Sequence, residues 1–575
     1  MAFLKRLAGF TSPVLGLIVW LLLWLPLRFA ARELAFIDRL FLLAPLAIVP
    51  LGLRLISAQN RAGEIHFLDR AAIRAQPVCA ALVVLSFLSR TGIAAAILTI
   101  PWLSFGGVCA VIGLVRVLPR GLNHTEELCL DFALLYFPVG CVWLVLSRLG
   151  ANPLGFSDDI VLLTAVHFHY AGFAALTILG MIGRLAEASL YRLSAWGAIT
   201  GIPLLALGIT FSPGLEIAAA FLLAASLAAA AVMTAFILPR IRHRAAQALL
   251  AVSAVSLAAA MLFAGAYALG KYTGHIWLDI PRMTVVHGLA NSIGFALCGL
   301  VGWNLLRPAS RGLAPGVPFS SFGGTSRIGP DYFDRIGAVL DVPAPPTGLV
   351  DNLDEYRRPD FDTSAVHPDI RAFYERTSEF GLLVVPDWKS GFRLGARLFR
   401  HWAERAGQLC LPLSAESQEF RIASRIFKLD DRCDGRTNVR AWIRTYTDTD
   451  TPVYVAAYAT HTEARQTYMN IAFPLPRGNL ASILRLEALP GGNGAWNGVL
   501  LSTLGSGDEG VYFANRVLPV RLPLNETIRV WTPGMAGIPI AMERPPNTPV
   551  TVVARHDLWL FGMQYLTLDY YIFPT

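Results

Sequence analysis

The stretch DIVLLTAVHFHYAGFAALTILGMIG, residues Asp159–Gly183, decides the architecture. At 1.5 Å per residue it is long enough to cross the ~30 Å hydrocarbon core of a bilayer, and after Asp159 it carries no Asp, Glu, Lys or Arg. Inside it stand His167, His169 and Tyr170. Polar rings at membrane depth are costly, so they either mark a pathway or site or hydrogen-bond neighbouring helices.

The surrounding chain fits that reading. It has 575 residues and a mean hydropathy of +0.51, with only 15% charged residues against ~25% in ordinary soluble domains. Apolar windows lie near 13–27, 40–53, 77–89, 92–118, 128–147, 160–182, 193–211, 215–238, 248–270 and 284–306, and they stop after Trp303. The expected fold is a membrane all-α bundle of about ten transmembrane helices over 1–307. A Pro/Gly-rich linker over 308–359 and a soluble α+β domain, rich in antiparallel sheet, over 360–575 follow. The third window is short because Arg90, Thr91 and Gly92 interrupt the run around it. The basic, apolar N-terminus lacks a small-residue cleavage site and reads as an uncleaved first span.

The net charge of +8 is carried largely by Arg in the segments between spans, so nucleic acid is not an expected partner. With the N-terminus inside, 15 Lys and Arg fall on inner segments, Lys5, Arg6, Arg61, Arg116 and Arg184 among them. Seven, including Arg28 and Arg148, fall on outer ones. That bias places both termini in the cytoplasm and the protein in the inner (plasma) membrane. Cys79, Cys109, Cys129, Cys141, Cys298, Cys410 and Cys433 form no CxxC pair and suggest no disulfide framework.

In this topology the sixth and tenth spans enter from the same side. His167 and Asn291 each lie seven residues in, and His287 lies three in, at nearly the same depth. His287 and Asn291, at i and i+4, share a helix face, as do His167 and Tyr170 at i and i+3. His169 is turned about 200° from His167 on a regular helix, so one undistorted helix cannot aim both at one ligand. A weaker second cluster, His124, Glu127 and Asp131, falls on one face at the start of the fifth span. There it reads either as a cation or proton entry site or as acids placed at a helix N-terminus. Ser157, Asp158 and Asp159 read as an N-cap.

LGFSDDIVLLTAVHFHYAGFA and the later VVHGLANSIGFALCGLVGW together resemble the YndJ-like family of bacterial multi-pass membrane proteins. FPVGCVWLVLSRLG in the fifth span is similar too, and RAFYERTSEFGL and LTLDYYIF resemble the tail of its longer members. The resemblance carries over to His167, His169, Tyr170, Gly172, His287, Gly288 and Asn291, and it implies a transporter. Glu127 and Asp131 do not match the family pattern.

In the second half, Asp387–Leu411 interleaves Arg393, Arg397, Arg400 and Arg405 with Leu394, Leu398, Phe399 and Trp402. This is the pattern of a basic amphipathic helix that either contacts anionic lipid or packs on its own domain. NVRAWIRTY, VYVAAYATH, TYMNIAFPL, ETIRVWTP and LTLDYYIF read as strands of an antiparallel sheet. No G-x-S-x-G, Walker loop or H-E-x-x-H is present, so nothing argues for an enzyme.

The expected function is that of a transporter or solute-binding membrane protein. Its polar site of His167, His169, Tyr170, His287 and Asn291 takes a small polar or ionic solute and no cofactor. The alternative is an intramembrane metal- or haem-binding redox protein with His167, His169 and His287 as ligands. In a third reading these residues only join helices.

Overall fold

In a computed structural model, residues 11–25, 30, 32–57, 66–186, 188–275, 278–311, 315–324, 327–413, 420–490, 496–505, 507–515, 517–539, 542 and 549–575 are described. Lys5, Arg6, Arg28 and Arg61, which entered the charge bias, lie outside them. The chain divides into two compact units, Met1–Val117 with Leu122–Ala314, and Pro315–Thr575 with Leu118–Gly121.

The first unit is helical. Among the described residues, a short apolar helix, α1 (Thr11–Leu22), precedes nine helices long and apolar enough to cross a membrane. These are α2 (Phe36–Ile56), α3 (Phe67–Leu88), α4 (Ile93–Arg120), α5 (Thr125–Leu149), α6 (Asp158–Gly183), α7 (Ser189–Phe211), α8 (Pro213–Arg240), α9 (Arg244–Thr273) and α10 (Ile280–Leu306). The third span is longer than the hydropathy window suggests, because it starts at Phe67 and runs through Pro77. Its polar residues are placed: Asp69 is buried, and the Gln76 amide donates to the Pro45 carbonyl at 2.7 Å. The N-cap reading at α6 holds for position but not for bonding. Ser157 makes no side-chain cap, and Asp158 accepts from Asn152 instead.

Three of these helices carry π-helical turns. α2 widens into π-helical turns at Ala44–Ile48, α6 at Phe168–Ala175 and α10 at Ala290–Leu297. In α2 the cause is visible: Pro45 and Pro50 remove donors from the i to i−4 ladder. All three widened segments pack against one another. α2 approaches α6 through Gly52, where a Cβ would come within 2.5 Å of the Phe173 ring.

The second unit is a closed barrel. Its strands are β1 (Phe380–Trp388), β2 (Phe420–Lys428), β3 (Arg440–Tyr446), β4 (Pro452–Glu463), β5 (Gln466–Leu475), β6 (Gly478–Pro490), β7 (Trp496–Ser502), β8 (Gly510–Ala514), β9 (Val520–Arg521), β10 (Leu524–Trp531), β11 (Val552–Leu560) and β12 (Met563–Pro574). Neighbours run β5-β4-β3-β2-β1-β12-β11-β10-β7-β6, and β6 pairs with β5 to close the ring, with every pairing antiparallel. β8 lies along the first half of β6 and carries β9. Among the described residues, each of the ten ring strands has a neighbour on both sides.

Alternation along β3 shows the two faces. Trp442 and Tyr446 join the apolar cluster inside the barrel with Ile471, Leu484 and Val530, while Ala441 and Ile443 join one outside it. The five strand segments read from sequence lie in β3, β4, β5, β10 and β12.

Residues 315–359, where the sequence suggested a linker, belong to this unit. Phe322, Ile328, Tyr332 and Phe333 cover the outer face of β3 and β4, and Leu349, Leu353 and Tyr356 join the cluster inside. The Asp434–Arg436 ion pair, both residues buried, accepts Ser320 Oγ and so pins this segment to the barrel. The amphipathic segment expected at Asp387–Leu411 is α-helical only over Arg393–Ala406, because Asp387 and Trp388 pair with Thr567 and Leu566 of β12. A helix at Pro368–Glu375, α11, precedes it, so Arg393–Ala406 is α12.

Candidate functional site

The polar residues of α6 separate into two groups. His169 and Tyr170 are buried, and His167 is exposed on the side of the bundle. His169 donates from Nδ1 to the Ala165 carbonyl at 2.8 Å and accepts at Nε2 from the Trp102 indole at 3.1 Å, which fixes its tautomer and occupies both ring nitrogens. Phe41 and Phe137 pack edge-on to the ring, each with its centroid 5.0 Å away. Gly140 leaves room for the ring, since a Cβ there would sit 2.8 Å from His169 Nδ1. Tyr170 donates to the Leu40 carbonyl of α2 at 2.9 Å. These two side chains therefore join α6 to α2, α4 and α5 and leave no atom of the imidazole for a ligand.

His167 differs. Its Nδ1 donates to Leu163 O of its own helix at 2.7 Å. Across the seam, His287 on α10 donates from Nδ1 to Ala260 O of α9 at 3.0 Å and lies within electrostatic reach of His167. Neither Nε2 has a partner among the described residues, so two imidazole acceptors are open. Asn291 donates to the His287 carbonyl at 3.0 Å, one helical turn back. Ser292 follows on the widened turn, and its Oγ is buried with no hydrogen-bond partner. A buried hydroxyl in that state costs about 1–3 kcal/mol unless something bonds it. Gly288, whose Cβ would come 2.9 Å from Leu40, lets α10 approach the same part of α2 that receives Tyr170. The polar face of α6 and α10 thus lies where the widened segments meet, and π-helical turns recur at functional sites.

The structure does not gather His167, His169 and His287 round one point, because His169 faces the opposite side of α6. Among the described residues no three His, Cys, Asp or Glu side chains form a group able to hold a metal ion. The donor set left for a metal or haem in this seam is two imidazoles.

The second cluster is also divided. His124 approaches Glu126, with Nδ1 3.4 Å from its carboxylate, and does not join Glu127. Glu127 and Asp131, both fully buried, belong to an ionic network that sequence reading missed. Arg116 of α4 donates to Asp131 at 2.7 Å, to Glu127 at 3.3 Å and to the Ile56 carbonyl at 2.7 Å. Arg184 at the end of α6 makes two bonds to Glu127, at 2.8 and 3.0 Å, and one to Pro308 O. Ser310 also donates to Glu127, at 2.8 Å. The network joins the ends of α2, α4, α5, α6 and α10 and has its carboxylates neutralised, so it reads as a structural clamp and not as a cation entry site. The available signal was Arg116 and Arg184, which the sequence counts among the inner-side charges and the fold turns onto buried carboxylates.

Comparison with known proteins extends these findings. A family model described as "YndJ-like protein" matches residues 39–295, which run from the start of α2 to the widened turn of α10. The chain is 30% identical over 553 residues to the "Uncharacterized membrane protein YndJ" of Bacillus subtilis (strain 168), across 94% of this chain and 95% of that protein. That coverage includes the barrel as well as the helices. No solved structure matches the chain.

Proposed function

The chain belongs to the YndJ-like family and is a multi-pass membrane protein, and from that premise we propose that it is a transporter or solute-binding protein whose polar site lies between α6 and α10. His167, His287 and Asn291 contact the solute, a small polar or ionic molecule, and His169 and Tyr170 hold α6 in place behind them. The observation that carries this reading is the pair of open Nε2 atoms beside the meeting point of three widened helices. An imidazole can both accept and donate a proton, so the pair suits a solute that moves with a proton. The site opens to the side opposite both termini, which are cytoplasmic, and the membrane is the inner (plasma) membrane. The bias of Lys and Arg toward one set of connecting segments supports that orientation.

The test is water access. In a variant without its native cysteines, a single cysteine at 167 or 287 is exposed to a membrane-impermeant thiol reagent in proteoliposomes. Leu262 of α9, 76% exposed on the bundle, supplies the lipid-facing control. Both site positions should react many times faster than 262. Rates equal to that of 262 would mean that the seam faces lipid and that its polar groups only join helices.

A further inference from the structure

The barrel interior holds a cavity of about 570 Å³, within the ~300–1,000 Å³ range of small-molecule sites. Its walls are overwhelmingly apolar and aromatic, with Met469, Ile471, Leu484 and Ile528 along the strands and Phe399 and Trp402 of α12 at one side. A closed barrel of this kind normally fills its interior with side chains or keeps a ligand there.

Polar side chains interrupt the apolar wall at two places. Glu526 bonds His556 Nε2 at 2.7 Å and accepts from Ser482 Oγ, so its carboxylate is already occupied. Arg444 is not. It projects inward from β3, is 6% exposed and lines the cavity, and among the described residues no carboxylate pairs with it. Its Nε is buried without a hydrogen-bond partner. The neighbours of the guanidinium are rings: Trp442 at 4.4 Å, Tyr454 at 5.4 Å and Tyr570 at 5.9 Å. Cation–π contact offsets part of the desolvation of the charge but satisfies none of its five N–H donors. A buried cation is ordinarily paired with an anion.

We propose that the barrel binds a single-chain amphiphile with an anionic head, its carboxylate or phosphate held by Arg444 and its acyl chain in the apolar cavity. α12 suits such a ligand. Leu394 and Leu398 are 71% and 70% exposed beside Arg393, Arg397 and Arg405, the composition of a helix that rests on anionic lipid, and its Phe399 and Trp402 line the cavity. The proposal is independent of the seam between α6 and α10, since it rests on a different unit of the chain.

The experiment uses the full chain in phospholipid nanodiscs and cis-parinaric acid, a fluorescent fatty acid. Energy transfer from tryptophan is read against empty nanodiscs, and Trp388, Trp402 and Trp442 line the cavity. Saturable transfer is expected, displaced by palmitate and by lysophosphatidate but not by acetate or inorganic phosphate. The relative potency of the two amphiphiles tells a carboxylate head from a phosphate head. Arg444→Leu should weaken binding at least tenfold and Arg444→Lys less. Met469→Trp, which fills the cavity and leaves the charge in place, should abolish binding, and it decides the matter if Arg444→Leu does not fold. Displacement by phosphate alone, equal binding of palmitate and hexadecanol, or unaltered binding in folded Arg444→Leu or Met469→Trp would overturn the proposal.

Discussion

Glu127→Gln removes the charge on which two arginines converge. The carboxylate receives two bonds from Arg184, one from Arg116 and one from Ser310, and no part of it is exposed. The amide keeps one acceptor oxygen but presents an NH2 to a guanidinium at the other, so Arg116 is left with Asp131 and Arg184 loses the one acidic partner it has among the described residues. Breaking a buried pair from one side costs about 3–5 kcal/mol, because the surviving charge stays desolvated. The network ties five span ends together, so the loss should appear in unfolding of the whole helical unit. Denaturant unfolding in detergent micelles, followed by tryptophan fluorescence, measures it for Glu127→Gln, Arg184→Gln and the double variant. Each single change should destabilise by about 3–5 kcal/mol, and the double should cost less than their sum by about 1–3 kcal/mol. Additivity within about 0.5 kcal/mol would show that the two side chains do not act on each other and would refute the clamp.

Gly140→Ala should cost about 1–3 kcal/mol in the same assay, because the new Cβ meets His169 Nδ1 at 2.8 Å in a packed interior. Trp102→Phe should cost a similar ~1–3 kcal/mol by leaving His169 Nε2 without its donor. An unchanged stability in either would mean that His169 is placed otherwise. In the barrel, burial pushes the Glu526 carboxyl up, but the His556 hydrogen bond and charge, with Ser482, outweigh it and hold the group below the ordinary carboxylate range. A depressed pKa contributes stability that is present above the unfolded value, near 4.3, and is lost as pH falls through the folded one. The melting temperature of the barrel should therefore fall with acid below about pH 4.3, and that fall should be shallower in Glu526→Gln. Identical pH profiles for the two proteins would contradict the assignment.

The helical spans were legible because each is a long apolar run, and the strands NVRAWIRTY to LTLDYYIF because alternation and turn residues bound them. What stayed hidden depends on partners distant in sequence. The start of α3 reads as polar until Gln76 is seen bonded to Pro45 and Asp69 buried. Nothing in β5 or β6 announces that they close a ring, and Asp387 and Trp388 pass for the start of a helix until β12 pairs with them. Pro and Gly at 315–359 suggest a linker, whereas Phe322, Tyr332 and Phe333 need the surface of β3 and β4 to be buried. The helical wheel separated His167 from His169, but only the fold supplies the reason His169 is held where it is, in Trp102 and the gap at Gly140. Arg444 was one more basic residue in a strand; its inward position is a consequence of β3 register in a closed barrel.

Cysteines at 167 and 291, in a background without the native ones, test the seam most directly. A disulfide needs Cα atoms within about 7 Å, and bifunctional thiol reagents of graded length measure wider gaps. If α6 and α10 form one polar site, a disulfide or a short reagent should join the two positions in the membrane, and His167→Cys paired with Leu262→Cys should not be joined by the same reagent. Failure of the longest reagents to link 167 with 291, while neighbouring control pairs react, would mean that the two helices do not share a site.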